Sequence, residues 1–457
     1  MISASDFTTS ETENNEAPPL YNERYRPQFH FTASRNWLND PNGCVYFDGE
    51  YHLFFQHNPE GCEWGNMSWG HAVSRDLVHW RQLPPAIRPY AGGMIYSGSA
   101  VVDFQNTAGF AKGNETALVA AFTHARKPFG QALAHSVDHG RSWQLYNGGE
   151  PVVPNQGINP EERDPKIFWH APTGKWVMLL WMERGVVRFF TSGNLKQWIH
   201  TSDFRAAGFY ECPDLFELSV DDDPLRKKWV LQEASSRYWI GDFDGEAFTA
   251  EQEPLRGDYG KNFYAAQTWN HVPDRCVQIA WMDGGQYPGM PFNQQMTFPC
   301  ELSLRTFPDG LRLCRWPVRE IGSIYTDTVE IADLLLKPDQ NPLSEISGSL
   351  FDISLTIEKD AAAEFSIRLQ DRTIAIRQET VSCPEASVEV PLPATGRIDL
   401  RILLDRSSIE VFVNRGAISM SSCILPRRLD TNLKFNSKNG PTHIRSLRVQ
   451  RLKSIWR

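Results

Sequence analysis

The chain has 457 residues, 41% of them hydrophobic and 12% aromatic, enough for one large or two ordinary domains with buried cores. Its formal net charge is −9 and no basic run appears, which argues against nucleic acid and against an anionic membrane as partners. The longest uninterrupted apolar stretch, WVMLLWM from Trp176 to Met182, is far too short to span a bilayer.

The N-terminal stretch MISASDFTTSETENNEAPPL is polar and acidic, with neither a charged n-region nor an apolar h-region. It does not read as a secretory signal, and residues 1–22 are expected to form a disordered tail. The cytoplasm is the expected compartment, with secretion left open if a signal has been removed. The eight cysteines are scattered without a CxxC pair, so free thiols are expected rather than a disulfide framework.

WLNDPNG follows at 37–43. Asp40, Pro41, Asn42 and Gly43 suit positions i to i+3 of a type I turn, and on that reading Asp40 merely caps the turn. Directly after it, CVYF and YHLFFQ joined through Asp48-Gly49 give a strong β-hairpin signal. No long helical periodicity occurs anywhere. Short apolar and aromatic runs alternate with Gly, Pro, Asn and Asp clusters, the pattern of an all-β protein.

A faint repeat sharpens this. SRDLVHW ends at Trp80, SVDHGRSW at Trp143, SGNLKQW at Trp198 and GDFDGEAF at Phe248, at intervals of 63, 55 and 50 residues. A recurring unit of about 50–60 residues with four short strands is the signature of a β-propeller blade. Residues 23–322 hold enough of these units for a five-bladed propeller. After RLCRWPVREIG (312–322) aromatics thin out, and 323–348 reads as a linker. From 349 to 457, segments such as LFDISLTIE, RIDLRILLD and SSIEVFVNRG alternate apolar and polar residues at period two, which describes a β-sandwich.

Three acids stand beside prolines at loop–strand boundaries: Asp40, Asp164 in EERDPKIFW and Glu211 in YECPDLF. Taken singly, each has an ordinary turn or surface explanation. In a propeller, however, innermost strands converge on one axis, so acids distant in sequence can meet at one mouth. Glycosidic bond cleavage needs such a pair, one carboxyl ionised and one protonated, and neighbouring carboxylates push each other's pKa values apart.

WLNDPNG, YSGSA (96–100), RDPK (163–166), ECPDLF (211–216) and DYGKNFYAAQTW (258–269) together resemble, in order, the motifs of glycoside hydrolase family 32, the invertase, inulinase and levanase β-fructosidases. LLDRSSIEVFVNRG (403–416) is similar to that family's C-terminal module, and the resemblance runs from about residue 25 to 455. It implies a five-bladed propeller with a funnel-shaped site for a terminal fructose. It further implies Asp40 as nucleophile, Glu211 as general acid and base, and Asp164 as the carboxylate that holds ring hydroxyls. Asn39, Gln56, Trp64, Ser97, Arg163, Asp258 and Trp281 fall on positions that contact sugar in that family, with Tyr259 supporting the acid and base. A retaining double displacement with an acidic optimum is expected.

No metal and no cofactor are expected: His52 and His57 lack a third ligand at suitable spacing, Ser97 has no nucleophile-elbow context, and no phosphate-binding glycine loop occurs. Beside Glu211, Cys212 is expected to pack rather than react. The segments 81–95 and 285–304 depart from the family pattern, so preference among sucrose, inulin and levan stays open. A fructosyltransferase sharing the same intermediate, a non-catalytic fructan-binding propeller, and an arabinanase or xylosidase relative are the competing readings. The sandwich is expected to be structural, and a homo-oligomer is left open.

Overall fold

The computed structural model describes residues 20–359, 363–390, 397–428 and 431–456. Its strands fall into successive antiparallel groups. The first is Asn36–Phe47, Glu50–Asn58, Ser68–Ser74 and Trp80–Ile87. Met94–Asp103, Ala117–Ala125, Gly130–Ser136 and Gln144–Leu145 follow, then Arg163–His170, Lys175–Glu183, Val186–Ser192 and Ile199–Arg205. Asp214–Val220, Asp223–Gln232, Arg237–Phe243 and Phe248–Ala250 form another group. The last is Tyr264–Thr268, Cys276–Trp281, Cys300–Phe307 and Gly310–Pro317. The short strand Phe292–Asn293 runs parallel to Asn36–Trp37 and ties the end of the ring to its start.

Apolar side chains fill the space between successive groups. Met178 and Leu180 face Val119 and Leu133 on one side, whereas Val177 and Leu179 face Leu215 and Leu231 on the other. A strand buried on both faces needs no polar alternation, which is why WVMLLWM is uniformly apolar. The repeat seen in the sequence is one turn used four times. Asp76, Asp138, Asn194 and Asp244 each accept backbone N–H groups two or three residues on. Trp80, Trp143 and Trp198 then donate their indole N–H to carbonyls three residues back.

The C-terminal part is a β-sandwich. A six-stranded sheet runs Tyr325–Leu336, Thr442–Leu452, Phe351–Lys359, Arg397–Leu404, Ser408–Val413 and Ile418–Cys423 across its width, and a five-stranded sheet ending at Lys434–Lys438 packs on it. The N-terminal propeller and this sandwich are the architecture expected from the sequence. No helix among the described residues is long and apolar enough to cross a membrane, and all eight cysteines are free.

Three local expectations need correction. The stretch expected as a linker contains the strand Tyr325–Leu336, paired along its length with Thr442–Leu452. It lies at the sheet edge with most side chains exposed, so it lacks the alternation that marks a half-buried strand. The expected tail lies outside the described residues up to 19, but Tyr21 stacks on Trp456 at 4.2 Å. Asp40 to Gly43 are not a turn: they belong to the strand Asn36–Phe47.

Candidate active site

The start of each group's innermost strand lies at one end of the ring, and that end gathers the chemistry. In the first strand, Leu38 pairs with His57 and Pro41 with Phe55, so Asn39 and Asp40 together face Gln56. Two residues opposite one is a β-bulge, a device that re-aims a side chain. Pro41 has no N–H to lose to the broken ladder. Gly43 completes the distortion: its φ is +53°, and a Cβ there would lie 2.6 Å from the Phe54 ring.

Asp164 and Glu211 are also held in unusual backbone, with φ of +65° and +54°, a region that costs non-glycine residues energy. Hydrogen bonds hold both in place. The Asp164 N–H donates to Thr123 Oγ1 at 3.0 Å, and the Ala234 N–H donates to the Glu211 carbonyl at 3.2 Å.

The side chains then converge. Ser97 Oγ donates to Asp40 Oδ2 at 2.6 Å and Asn39 Nδ2 to Asp40 Oδ1 at 3.2 Å. Trp37 fixes Asn39 through its indole N–H, 2.8 Å from Oδ1. Cys212 sits between two acids, its Sγ 3.7 Å from Asp40 Oδ2 and 3.5 Å from Asp164 Oδ2, while its N–H donates to Asp164 at 3.1 Å. Glu211 is gripped on both oxygens: Arg163 Nη2 binds Oε1, and the Tyr264 hydroxyl donates to Oε2 at 2.6 Å.

Burial and mutual repulsion set the charges. Burial raises Asp164 to about 7 against the pull of Arg163, with Glu211 and Asp40 adding to the rise. Asp40 is raised by burial and by the charge of Glu211, although hydrogen bonds from Ser97, Asn39 and Cys212 offset part of this. Burial and the surrounding carboxylates push the Cys212 thiol well up, so it packs as a neutral donor. With several acids around one guanidinium, a proton stays within the cluster near neutrality.

Of the other residues expected at the site, Trp281 lies beside Tyr264 and Trp37, with ring centres 6.1 and 6.2 Å away. Gln56 is buried behind the bulge with its Nε2 unpartnered among the described residues. Trp64 is 53% exposed against Tyr96, an open aromatic face near the mouth. Asp258 and Tyr259 are elsewhere. Asp258 is 1% exposed and bound to Arg315, Ser419 and Ser421, so it cannot reach a sugar. The side chain of Tyr259 packs on the sandwich core. Tyr264, five residues further along the same motif, is the phenol on Glu211. It was findable by position, because it opens an innermost strand as Arg163 does. Among the described residues no group of His, Cys, Asp or Glu is arranged to hold a metal ion; His52 contacts His71, and His57 binds the Trp37 carbonyl.

Carboxyl groups in different charge environments at the mouth of a propeller define a site of the glycosidase class. Residues 30–317 match the glycosyl hydrolases family 32 N-terminal domain and residues 320–451 the glycosyl hydrolases family 32 C terminal domain. The chain therefore belongs to glycoside hydrolase family 32 and is a glycosidase. It is 40% identical to a levanase of Bacillus subtilis over 95% of this chain and 72% of that one. To an extracellular exo-inulinase of Aspergillus ficuum it is 33% identical, over 95% and 96% of the two chains. The solved exo-inulinase of Aspergillus awamori superposes with a TM-score of 0.87 at 30% identity, covering 95% of this chain and all of that one. A fructofuranosidase of Schwanniomyces occidentalis complexed with fructosylnystose superposes with a TM-score of 0.84 at 26% identity, covering 95% and 99%.

Proposed function

We propose that the enzyme releases terminal β-D-fructose from sucrose and from fructans such as inulin and levan, with retention at the anomeric carbon. The observation that carries this reading is the division of labour among the acids. Among the described residues Asp40 is held by Ser97 and Asn39 with no cation bonded to it, whereas Glu211 lies between a phenol and a guanidinium. Hydrogen bonds to both oxygens favour the ionised form of Asp40, as an attacking carboxylate needs, and the proton the cluster retains near neutrality can pass to Glu211 for the leaving oxygen. Relatives named levanase and exo-inulinase supply the substrate class.

Asp40 attacks C2 of the fructosyl unit as the C2–O bond breaks, and Glu211 gives its proton to the leaving oxygen. The product is a fructosyl ester of Asp40. Water, deprotonated by Glu211, then attacks C2; the ester bond breaks and Asp40 returns as carboxylate. Asp164 accepts hydrogen bonds from ring hydroxyls, Arg163 and Asn39 donate to the sugar, and Gln56 offers its buried amide. Trp64 and Trp281 give flat apolar faces to the ring C–H groups.

Two measurements test the reading. Chromatography of products from sucrose, inulin and levan, at low and high sugar, should show free fructose from the first minutes. Growth of oligosaccharides at high sucrose would instead mean transfer of the same intermediate to a sugar. Mass spectrometry of Glu211→Gln quenched during turnover should find one fructosyl unit on Asp40; an adduct on another residue would overturn the assignment.

A further inference from the structure

The sandwich sheet ends at the strand Ile418–Cys423, whose outer edge would otherwise leave backbone groups unpaired. Residues 257–262 of the propeller lie along that edge as an added strap. The Tyr259 N–H donates to the Ser419 carbonyl at 2.8 Å and the Asn262 N–H to the Ser421 carbonyl at 3.0 Å. In return the Ser421 N–H donates to Asp258 Oδ1 at 3.1 Å, and the Cys423 N–H to Asn262 Oδ1 at 2.8 Å. Behind the strap, Arg315 Nη1 binds Asp258 Oδ2 at 2.9 Å with both side chains fully buried. The fit is tight at Gly260, where a Cβ would lie 2.1 Å from the Ser421 carbonyl oxygen. Two residues beyond Asn262 stands Tyr264, whose hydroxyl is 2.6 Å from Glu211 Oε2.

We infer that the C-terminal sandwich is a working part of the active site: by clamping the 257–262 strap to its edge strand, it sets Tyr264 against Glu211 and so tunes the proton donor. Asp258, Gly260 and Ser421 are positioning residues rather than sugar contacts. The sandwich also bonds other propeller segments, such as the one at His30, but 257–262 is the one that leads within two residues to a side chain on Glu211. The inference rests on the proposed proton-donor role of Glu211. The groups that face Glu211 are Arg163, Tyr264, Tyr210 and the Asp40, Asp164 and Cys212 cluster, and of these Tyr264 is the one that follows the strap directly in the chain.

The test compares Gly260→Ala, Ser421→Ala, Tyr264→Phe and the double variant Gly260→Ala/Tyr264→Phe on sucrose. Loss of a hydrogen bond to a carboxylate makes the proton harder to remove, so Tyr264→Phe should move the alkaline limb of kcat/KM upward by ~1 pH unit. Gly260→Ala should lower kcat about tenfold, keep KM within about twofold, and move the limb in the same direction. The double variant should move it no further than Tyr264→Phe does, and Ser421→Ala should show the same pattern more weakly. Gly260→Ala that melts earlier but keeps its limb, or a double variant whose shifts add, would overturn the inference. If Gly260→Ala does not fold, Ser421→Ala decides on the same readouts. An unmoved limb in Tyr264→Phe would overturn the proton-donor reading and the inference together.

Discussion

The guanidinium carbon of Arg163 lies 4.3 Å from the ring centre of Trp181, and the same guanidinium binds Glu211. The two residues are register partners on adjacent strands, so the contact is built into the sheet. Trp181 also meets Tyr210, the neighbour of Glu211, edge-on at 5.4 Å. One buried indole thus backs both the arginine and the loop that carries the acid. A desolvated cation–π contact is worth about 2 kcal/mol, or roughly thirtyfold in rate if the alignment of Glu211 depends on it. Trp181→Leu should therefore lose on the order of ten- to thirtyfold in kcat/KM on sucrose, and Trp181→Phe much less. Wild-type kinetics in a folded Trp181→Leu would show that Arg163 holds its place unaided.

The acid cluster sets the pH range of activity. Asp40 must be ionised to attack, and because burial and Glu211 raise it, activity should begin to fall on acidification before the ordinary carboxylate range is reached. The cluster also needs one proton to give away. With Asp164 raised to about 7, the last proton leaves around neutrality, and activity should decline above that. The kcat/KM profile on sucrose should be a bell on the acidic side of neutral. A flat profile from about pH 4 to 9 would sink the assignment of these carboxyls.

Much of the molecule could be read from residue pattern because its repeat is local. Asp76 and Asp138 accept N–H groups from the turns they begin, and Trp80 and Trp143 close those turns, all within a few residues. The conformation around Asp40 was not legible in this way. Whether Asp40 to Gly43 make a turn or a bulge is decided by pairing with Gln56, Phe55 and Phe54 in the next strand. The confusion of Tyr259 with Tyr264 has a related origin. Both lie in one motif, and only the ring's geometry sends the first to the sandwich and the second to Glu211. Asp258 reads as a site acid until Arg315, 57 residues away, is seen to neutralise it.

Gly43 allows the bulge to be tested apart from the acids. Its φ of +53° alone would cost alanine about 1–2 kcal/mol, and contact with Phe54 and Trp69 at 2.6 and 2.9 Å adds about 1–3 kcal/mol of overpacking. Gly49, in the hairpin turn, has φ +80° and open space around a would-be Cβ, so it carries the strain without the clash. Gly43→Ala should lower the melting temperature clearly more than Gly49→Ala, and only Gly43→Ala should lower kcat. Equal effects of the two on melting would mean that the bulge can yield without disturbing its neighbours.

The two domains are also joined by a charge that pH can remove. His30 is fully buried between Asp405 and Glu410 of the sandwich, 2.8 and 2.7 Å from its two ring nitrogens. Burial alone would lower its pKa, but the hydrogen bonds and charges of both carboxylates outweigh that and raise it to about 9. A histidine raised from its unfolded value near 6.5 stabilises the fold fully below that value, and the contribution is lost as pH climbs through 9. Its size is on the order of 3 kcal/mol. Melting temperature should accordingly fall between about pH 7 and 9.5 in the wild type. His30→Gln, whose one amide nitrogen can donate to one of the two carboxylates but which carries no charge, should melt lower at pH 6 and lose this alkaline slope. If His30→Gln keeps the slope of the parent, the alkaline loss of stability arises from some other group, and the His30 clamp is held neutral.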